Sequence, residues 1–395
     1  MTFLINDLKA YHKHFFQYQA LPINKTLTMS SLVSTPNTSP TPDQPGHWVV
    51  TKFGKPDVLK WEIWDPTPEV SGDKVLVRII VAGIAGVDNI QRAGGYPIDP
   101  RAHKPGFTTG YDLVGEIIAM GSSVPEDSNL RIGDRVASLC ILGAHATHIV
   151  LPYVDVMRIE KTDDPLKIGA LPLNYMTAWG MLKHSNVELP PGSTILIGAA
   201  SGGLGTAVAQ LVQAFGMGIR MIGTCSTSKF DYVRSLGVEP IDRHSPNLVE
   251  QVRMLTNGEG VDVAYDGVCS EESLKASLAA TKADVGRVVV FGVMGNIAAD
   301  GSKVFRTSRE IFAERLQPPR ITLFVLDVQF HKTAQISEFY EIVKKVRSGE
   351  LNPVVFKLLR LSQAIEAHDQ LISGSSVKGK MMFIVDTDLA VQYNI

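Results

Sequence analysis

The residues with the clearest chemistry run from Thr194 to Gly205, TILIGAASGGLG. A hydrophobic strand leads directly into A-x-G-x-x-G. Ala200, Gly202 and Gly205 take the fingerprint positions, with Ser201, Gly203 and Leu204 between them. Each position has a physical reason. A glycine at 202 lets the backbone approach a pyrophosphate, and one at 205 lets the next helix pack closely on its strand. The N-terminus of that helix turns free N–H groups and a positive dipole end toward phosphate. Glycine triplets also occur in plain structural turns. Here the strand before, the helix after (Leu204 to Phe215, with Gly216 as its C-cap) and a further strand at Ile219 to Ile222 supply the context that a dinucleotide site needs.

The next question is which dinucleotide. An adenosine ribose 2'-hydroxyl usually meets an Asp or Glu about 20 residues beyond the fingerprint. Counting from Gly205 reaches Gly223-Thr224-Cys225-Ser226-Thr227-Ser228-Lys229, which has no acid. Its hydroxyls, including Ser226, and the cation Lys229 suit a 2'-phosphate through hydrogen bonds and charge. Tyr232, one turn later, adds a donor. The bland reading is a polar helix N-cap followed by a solvated lysine. NADPH is expected in preference to NADH.

The elements that must position these residues follow from the rest of the chain. Its 395 residues suggest two or three domains. From His47 the pattern is β-rich, with strand-like runs at Val75 to Val81, Leu113 to Ala119 and Arg135 to Leu139 separated by Gly and Pro. From about Pro165, strands alternate with helices, which implies a parallel sheet with crossover helices. The strands are Thr194 to Ile197, Ile219 to Ile222, Val261 to Tyr265 and Arg287 to Phe291, and a second helix runs from Lys229 to Leu236. After about Phe330 come a helix (Ile336 to Val346), a strand (Pro353 to Phe356), a helix (Ala364 to Ile372) and a last strand (Lys380 to Val385). Residues 1–46 differ. Ser30 to Gly46 is nearly all Ser, Thr, Pro and Asn, so a disordered extension is expected. Translation from Met29 would remove the first 28 residues. The first arginine is Arg78, which argues against an Arg-rich presequence.

Composition excludes several classes. Lys plus Arg number 38 against 40 Asp plus Glu, a net charge of -2, which speaks against nucleic-acid binding through a basic surface. No run approaches the roughly 18 to 20 apolar residues of a membrane span. Cys140, Cys225 and Cys269 are far apart, so neither a disulfide framework nor a cysteine-built zinc site is expected, and a cytoplasmic enzyme fits.

At this point the chain resembles the medium-chain dehydrogenase/reductase superfamily, in its zinc-free quinone oxidoreductase and enoyl reductase branch. The likeness covers His47 to Asp386. Its matches are G-I-A-G-V-D at Gly83 to Asp88, G-Y-D-L-V-G at Gly110 to Gly115 and G-D-R-V at Gly133 to Val136. L-P-L-N-Y-M-T-A-W at Leu171 to Trp179, A-A-x-G-G-x-G at Ala199 to Gly205, V-V-V-F-G at Val288 to Gly292 and the G-K strand from Gly379 continue it. The resemblance implies an α/β fold, a doubly wound Rossmann parallel sheet inserted into a GroES-like β-rich catalytic domain. The expected divisions are the extension 1–46, catalytic residues 47–162, the Rossmann NADPH-binding domain 163–330 and a catalytic return segment 331–395. Many members form dimers through the Rossmann sheet, which leaves a homodimer open.

Zinc alcohol dehydrogenases of the superfamily carry a Cys where this chain has Ala85, and Gly-His-Glu where it has Gly110-Tyr111-Asp112. Metal catalysis is therefore not expected, and His103, His145 and His148 read as surface or core residues. Tyr96 matches a tyrosine proposed as proton donor in related enoyl reductases; packing or gating is the other reading. Thr177 matches a residue near the nicotinamide, and Phe291 and Gly292 match the strand end that borders the ring. Asp88 and Asp112 read mainly as structural hydrogen-bond anchors. Ala85 stands where relatives often have Asn, so one polar contact is lost. The expected activity is NADPH-dependent reduction of a quinone or α,β-unsaturated carbonyl. The alternatives are an enoyl reductase or dehydrogenase tailoring a biosynthetic intermediate such as a polyketide, or a nucleotide-binding relative without catalysis. Residues Gly94 to Phe107 and Leu323 to His331 shape the pocket and carry no readable specificity code.

Overall fold

Among the described residues, Val- and Ile-rich runs punctuated by Gly and Pro produce eight strands before the strand–helix alternation begins: β1 (Gly46–Val50), β2 (Leu59–Ile63), β3 (Lys74–Ile84), β4 (Phe107–Thr108), β5 (Asp112–Met120), β6 (Arg135–Leu139), β7 (His148–Pro152) and β8 (Met157–Ile159). The computed structural model describes residues 44–96, 99–373 and 377–395, all within one compact unit. Met29 and all but the end of the Ser/Thr/Pro-rich stretch lie outside the described residues. β1, β2 and β4 form a small antiparallel sheet. β3 is buried over most of its length on both faces and holds the centre of a larger sheet, with β5 and β7 antiparallel to it.

The alternating segment gives β9 (Thr194–Ile197), β10 (Arg220–Cys225), β11 (Val238–Asp242), β12 (Val263–Asp266), β13 (Arg287–Val290) and β14 (Ile321–Leu323). All pair in parallel, in the order β11-β10-β9-β12-β13-β14. Successive residues point to opposite faces. Ile195 and Ile197 therefore join the main core, while Leu196 joins a second core with Ile222, Val252, Val288 and Val290. Both faces of the sheet are covered, as a doubly wound parallel sheet requires. The strand order reverses between β9 and β12. A crevice at their carboxyl ends is the place where such sheets bind ligands.

The chain then returns. β15 (Val355–Arg360) runs parallel to β16 (Lys380–Ile384), and β16 pairs antiparallel with β3, so the last strand completes the sheet that the first half began. The parallel sheet is thus inserted into a GroES-like β-rich fold.

Candidate active site

The glycine-rich turn opens from β9. Ala199 has φ +53°, and the Ala200 N–H donates to Thr224 O at 2.9 Å, which ties the turn to β10. The helix Gly203–Ala214 starts on Gly202. A Cβ at Gly205 would lie 2.6 Å from Ala200 Cα and O, so only glycine lets the helix sit this close. At Gly202 a Cβ would meet only Ala199 O, at 3.2 Å, leaving that side open for a phosphate. Ser201 O accepts from the Gly379 N–H at 2.9 Å, so the return strand is fastened to the turn. Leu204 is half-buried against the main core.

At the carboxyl end of β10, Ser226 starts a short turn, Thr227–Lys229, that leads into the helix Phe230–Ser235. Lys229 is only 5% exposed. Burial pushes its ammonium down from the ordinary value, and the positive charges of Arg243 and Lys378 add to that effect. Three cations therefore gather at one strand end. The Arg243 backbone N–H donates to Cys225 O at 2.9 Å, and Lys378 Nζ stands over the Tyr232 ring, 5.6 Å from its centroid. The Tyr232 hydroxyl bonds Thr206 Oγ1 at 2.9 Å, on the glycine-turn helix. Clustered cations repel one another, and a phosphate placed among them relieves the repulsion. With the open side of Gly202, this arrangement fits a dinucleotide that carries an extra phosphate. Arg243 and Lys378 escaped the sequence reading. Arg243 had no signal, because it follows β11, whose sequence looks like a turn. Lys378 had none until β16 was placed.

A second constellation is built on the β3–helix junction. Ala85 caps the helix Gly86–Arg92, and Asp88 Oδ2 accepts from the Ala85 N–H at 2.8 Å. Asp88 is fully buried with Oδ1 unpartnered, and burial raises its carboxyl to about 7. His145 Nε2 lies 3.8 Å from Asp88. Burial lowers this imidazole to about 4, so it is neutral at pH 7. It reaches Gly83 O at 3.1 Å through Nε2 and Thr109 Oγ1 at 2.8 Å through Nδ1. Because a carbonyl only accepts, Nε2 carries the hydrogen. Tyr96 and Tyr111 are each 4% exposed, and their hydroxyls hydrogen-bond to each other, with the rings edge to face at 5.9 Å. The Tyr96–Tyr111 pair was not legible in the sequence, since the loop that joins the two rings has no regular period.

The two constellations are connected. Gly379, bonded to Ser201, precedes Lys380, whose Nζ pairs with Asp112 at 2.8 Å. Asp112 in turn follows Tyr111. Asp112 Oδ2 also accepts from the Leu173 N–H at 3.3 Å, in the π-helical turn Leu171–Tyr175. Asn174 of that turn packs on Gly203, and Thr177 follows on the helix Met176–Lys183, half-buried. Among the described residues the Thr177 hydroxyl makes no hydrogen bond. Phe291 and Gly292 stand beyond β13, with the Phe291 ring against Gly267. Met294, three residues on from Phe291, touches the Gly86 position and so brings the strand end to the Ala85 junction. No hydrogen bond joins Thr177 or Phe291 to Tyr96 among the described residues.

Two family models match the chain: the alcohol dehydrogenase GroES-like domain over residues 71–161 and the zinc-binding dehydrogenase over residues 203–317. Ala85 and Tyr111 are poor zinc ligands, and no three His, Cys, Asp or Glu side chains converge on a metal-sized site among the described residues. The quinone oxidoreductase of Homo sapiens is 26% identical over 343 residues, 85% of this chain and 96% of that protein. The crystal structure of the Pseudomonas syringae pv. tomato quinone oxidoreductase matches with a TM-score of 0.71 at 26% identity, over 86% of this chain and 99% of that one. A mycobacterial protein solved with NADPH matches with a TM-score of 0.71 at 25% identity, over 86% and 99%. With these likenesses in order along one chain and the sheet topology described above, the chain belongs to the medium-chain dehydrogenase/reductase superfamily and is similar to its quinone oxidoreductases.

Proposed function

We propose that the chain is a zinc-independent, NADPH-dependent reductase of a quinone or an α,β-unsaturated carbonyl. The observation that carries this reading is the cationic end of β10, with Lys229, Arg243 and Lys378 beside the glycine turn. Gly202, Gly203 and the helix N-terminus hold the pyrophosphate, and Ser226, Lys229 and Tyr232 with Lys378 hold the 2'-phosphate. Thr177, Phe291 and Gly292 border the nicotinamide. NADPH, when bound, supplies hydride to the acceptor. The chain's own residues then orient the acceptor, exclude water and deliver a proton. Tyr96 takes the donor role, because an ordinary phenol is protonated at pH 7 and can give its hydrogen to a developing oxyanion or carbanion.

The reading extends to assembly and place. β14 is an outer strand of the parallel sheet and the natural seam for a homodimer. No helix among the described residues is long and apolar enough to cross a membrane, and a cytoplasmic reductase is the proposed setting.

The test is NADPH oxidation, followed at the nicotinamide absorbance, with panels of quinones and enones and with a strong chelator present. Turnover that survives the chelator supports the proposal. Tight NADPH binding without turnover of any acceptor overturns it in favour of a nucleotide-binding protein. Activity confined to enoyl thioesters turns it toward the tailoring of a biosynthetic intermediate.

A further inference from the structure

We propose that the cavity beneath the hairpin Ile297–Val304 is a site for the side chain of the acceptor: it receives an apolar chain, and Asn89 Nδ2 donates to an oxygen on that chain. This rests on the reading of the protein as a reductase of quinones or enones.

The hairpin is built to hold its shape. The Ala298 N–H donates to Lys303 O at 2.9 Å. Asn296 closes the base, accepting from the Arg306 N–H at 3.0 Å and donating to the Arg306 carbonyl at 2.5 Å. The tip rests on residues of the first and last parts of the chain. Gly301 O accepts from Arg92 Nη2 at 3.1 Å, and Asp300 pairs with Lys55 at 3.0 Å. A Cβ at Gly301 would lie 2.5 Å from Ile372 Cδ1, so only glycine brings the tip this close.

Beneath the hairpin lies a partly open cavity of about 230 Å³. Met294, Ile297, Ala298, Gly301 and Ile372 line it, and Asn89 is the one lining residue whose side chain carries a hydrogen-bond donor. An apolar cavity of about 150 Å³ takes up benzene, so this one has room for a chain of several carbons. Met294 points to the occupant. It lines the cavity and also packs at Gly86, where its Cε would stand 3.3 Å from a Cβ, one residue beyond Ala85. Gly292, assigned to the nicotinamide edge, lies two residues before it. An acceptor whose reacting atom meets the nicotinamide has this cavity at hand for its substituent. The glycine turn and the end of β10 already take the phosphates, which leaves the apolar space to the acceptor.

Asn89 is 2% exposed, and the groups that hold its oxygen orient its amide. Arg92 Nη1 donates to Asn89 Oδ1 at 2.6 Å and stands 2.6 Å from His368 Nδ1. A guanidinium only donates, so His368 Nδ1 accepts and the imidazole is neutral. Burial first, and then the charge of Arg92, hold that imidazole well below its ordinary value. With Oδ1 taken, Nδ2 is the atom that the amide can offer to the cavity, and it makes no hydrogen bond among the described residues. A buried donor without an acceptor is costly, and a ligand oxygen removes that cost.

The first probe is 2-octanone, a short alkyl chain on a carbonyl, titrated by calorimetry into the full chain saturated with NADP+. Binding is expected, and Ala298→Phe, which fills the cavity, should weaken it about tenfold. Ala298→Leu serves if the ring disturbs the hairpin. Asn89→Ala should cost 2-octanone about fivefold more than toluene, which has no oxygen. Among acceptors, 2-hexyl-1,4-benzoquinone should show a KM about tenfold below that of 1,4-benzoquinone, and Ala298→Phe should abolish that advantage. Binding of 2-octanone that ignores both Ala298 variants overturns the cavity as a site. Equal losses for 2-octanone and toluene remove Asn89 as the donor, and equal KM values for the two quinones in the parent overturn the acceptor as occupant. No turnover of any quinone or enone removes the reductase reading itself and the acceptor assignment with it, a result distinct from failed 2-octanone binding.

Discussion

Lys380 Nζ stands 3.0 and 2.8 Å from the two carboxylate oxygens of Asp112, with the side chains 2% and 1% exposed. The pair joins the last strand, β16, to β5, and its chain neighbours are Gly379 on the glycine turn and Tyr111 on Tyr96. One ion pair thus braces both halves of the site. A buried pair adds little net stability over apolar residues, but breaking it strands a charge. Lys380→Met should lower stability by about 3–5 kcal/mol, whereas Lys380→Met with Asp112→Leu should recover much of the loss. Urea denaturation of the single and double variants measures this. A single variant as stable as the parent would show that the pair does not brace the fold.

Gly205 and Gly202 should separate fold from ligand. A Cβ at 205 collides with the Ala200 backbone, so Gly205→Ala should cost about 1–3 kcal/mol through overpacking. At 202 the Cβ meets only Ala199 O at 3.2 Å, so Gly202→Ala should cost about 1 kcal/mol or less. Its effect should appear as weaker NADPH binding, because the methyl stands on the side left open for phosphate. Thermal melts and NADPH fluorescence titrations on the two variants decide the matter. Equal melting losses would contradict the assignment of an open side to Gly202.

The cations at the end of β10 give the third prediction. Lys229→Ala and Lys378→Ala should each weaken NADPH about tenfold and leave NADH nearly unchanged, since each removes a charge-assisted contact to one phosphate. Raising the salt should narrow the gap between the two cofactors. Equal losses for NADH and NADPH would remove the phosphate assignment.

Much of this was legible in the chain because backbone geometry leaves few choices. Thr194–Ile197 and Arg135–Leu139 are strands as read, since short β-prone runs with a glycine close by, Gly198 after the first and Gly133 before the second, have little alternative. β11 escaped notice. Its sequence, VEPID, holds a proline and two acids and looks like a turn, yet β11 is an edge strand, where a missing N–H costs little. The glycine turn was legible for the reason that makes it work, because Ala200, Gly202 and Gly205 sit at spacings that the backbone dictates. Side-chain meetings were not. Tyr111 reaches Tyr96, and Lys378 reaches Tyr232, only after distant strands have paired.

Asp88 gives the last prediction, and it concerns pH. Burial raises its folded carboxyl to about 7 from an ordinary 3.8, so the folded state holds the proton more tightly than the unfolded chain. Its stabilising contribution is full below about pH 4 and is lost as the pH climbs through 7. His145, lowered to about 4, acts with the opposite sign, since its contribution is present above its ordinary 6.5 and is lost on acidification. Comparing the parent with Asp88→Asn cancels His145, which both proteins keep. The asparagine oxygen can still accept from the Ala85 N–H and carries no charge at any pH. The melting temperature of Asp88→Asn relative to the parent should therefore rise steadily from pH 4 to above 7. A difference that stays flat across that range would mean that Asp88 titrates as an ordinary carboxylate, and that its burial beside Tyr111 and His145 leaves its charge undisturbed.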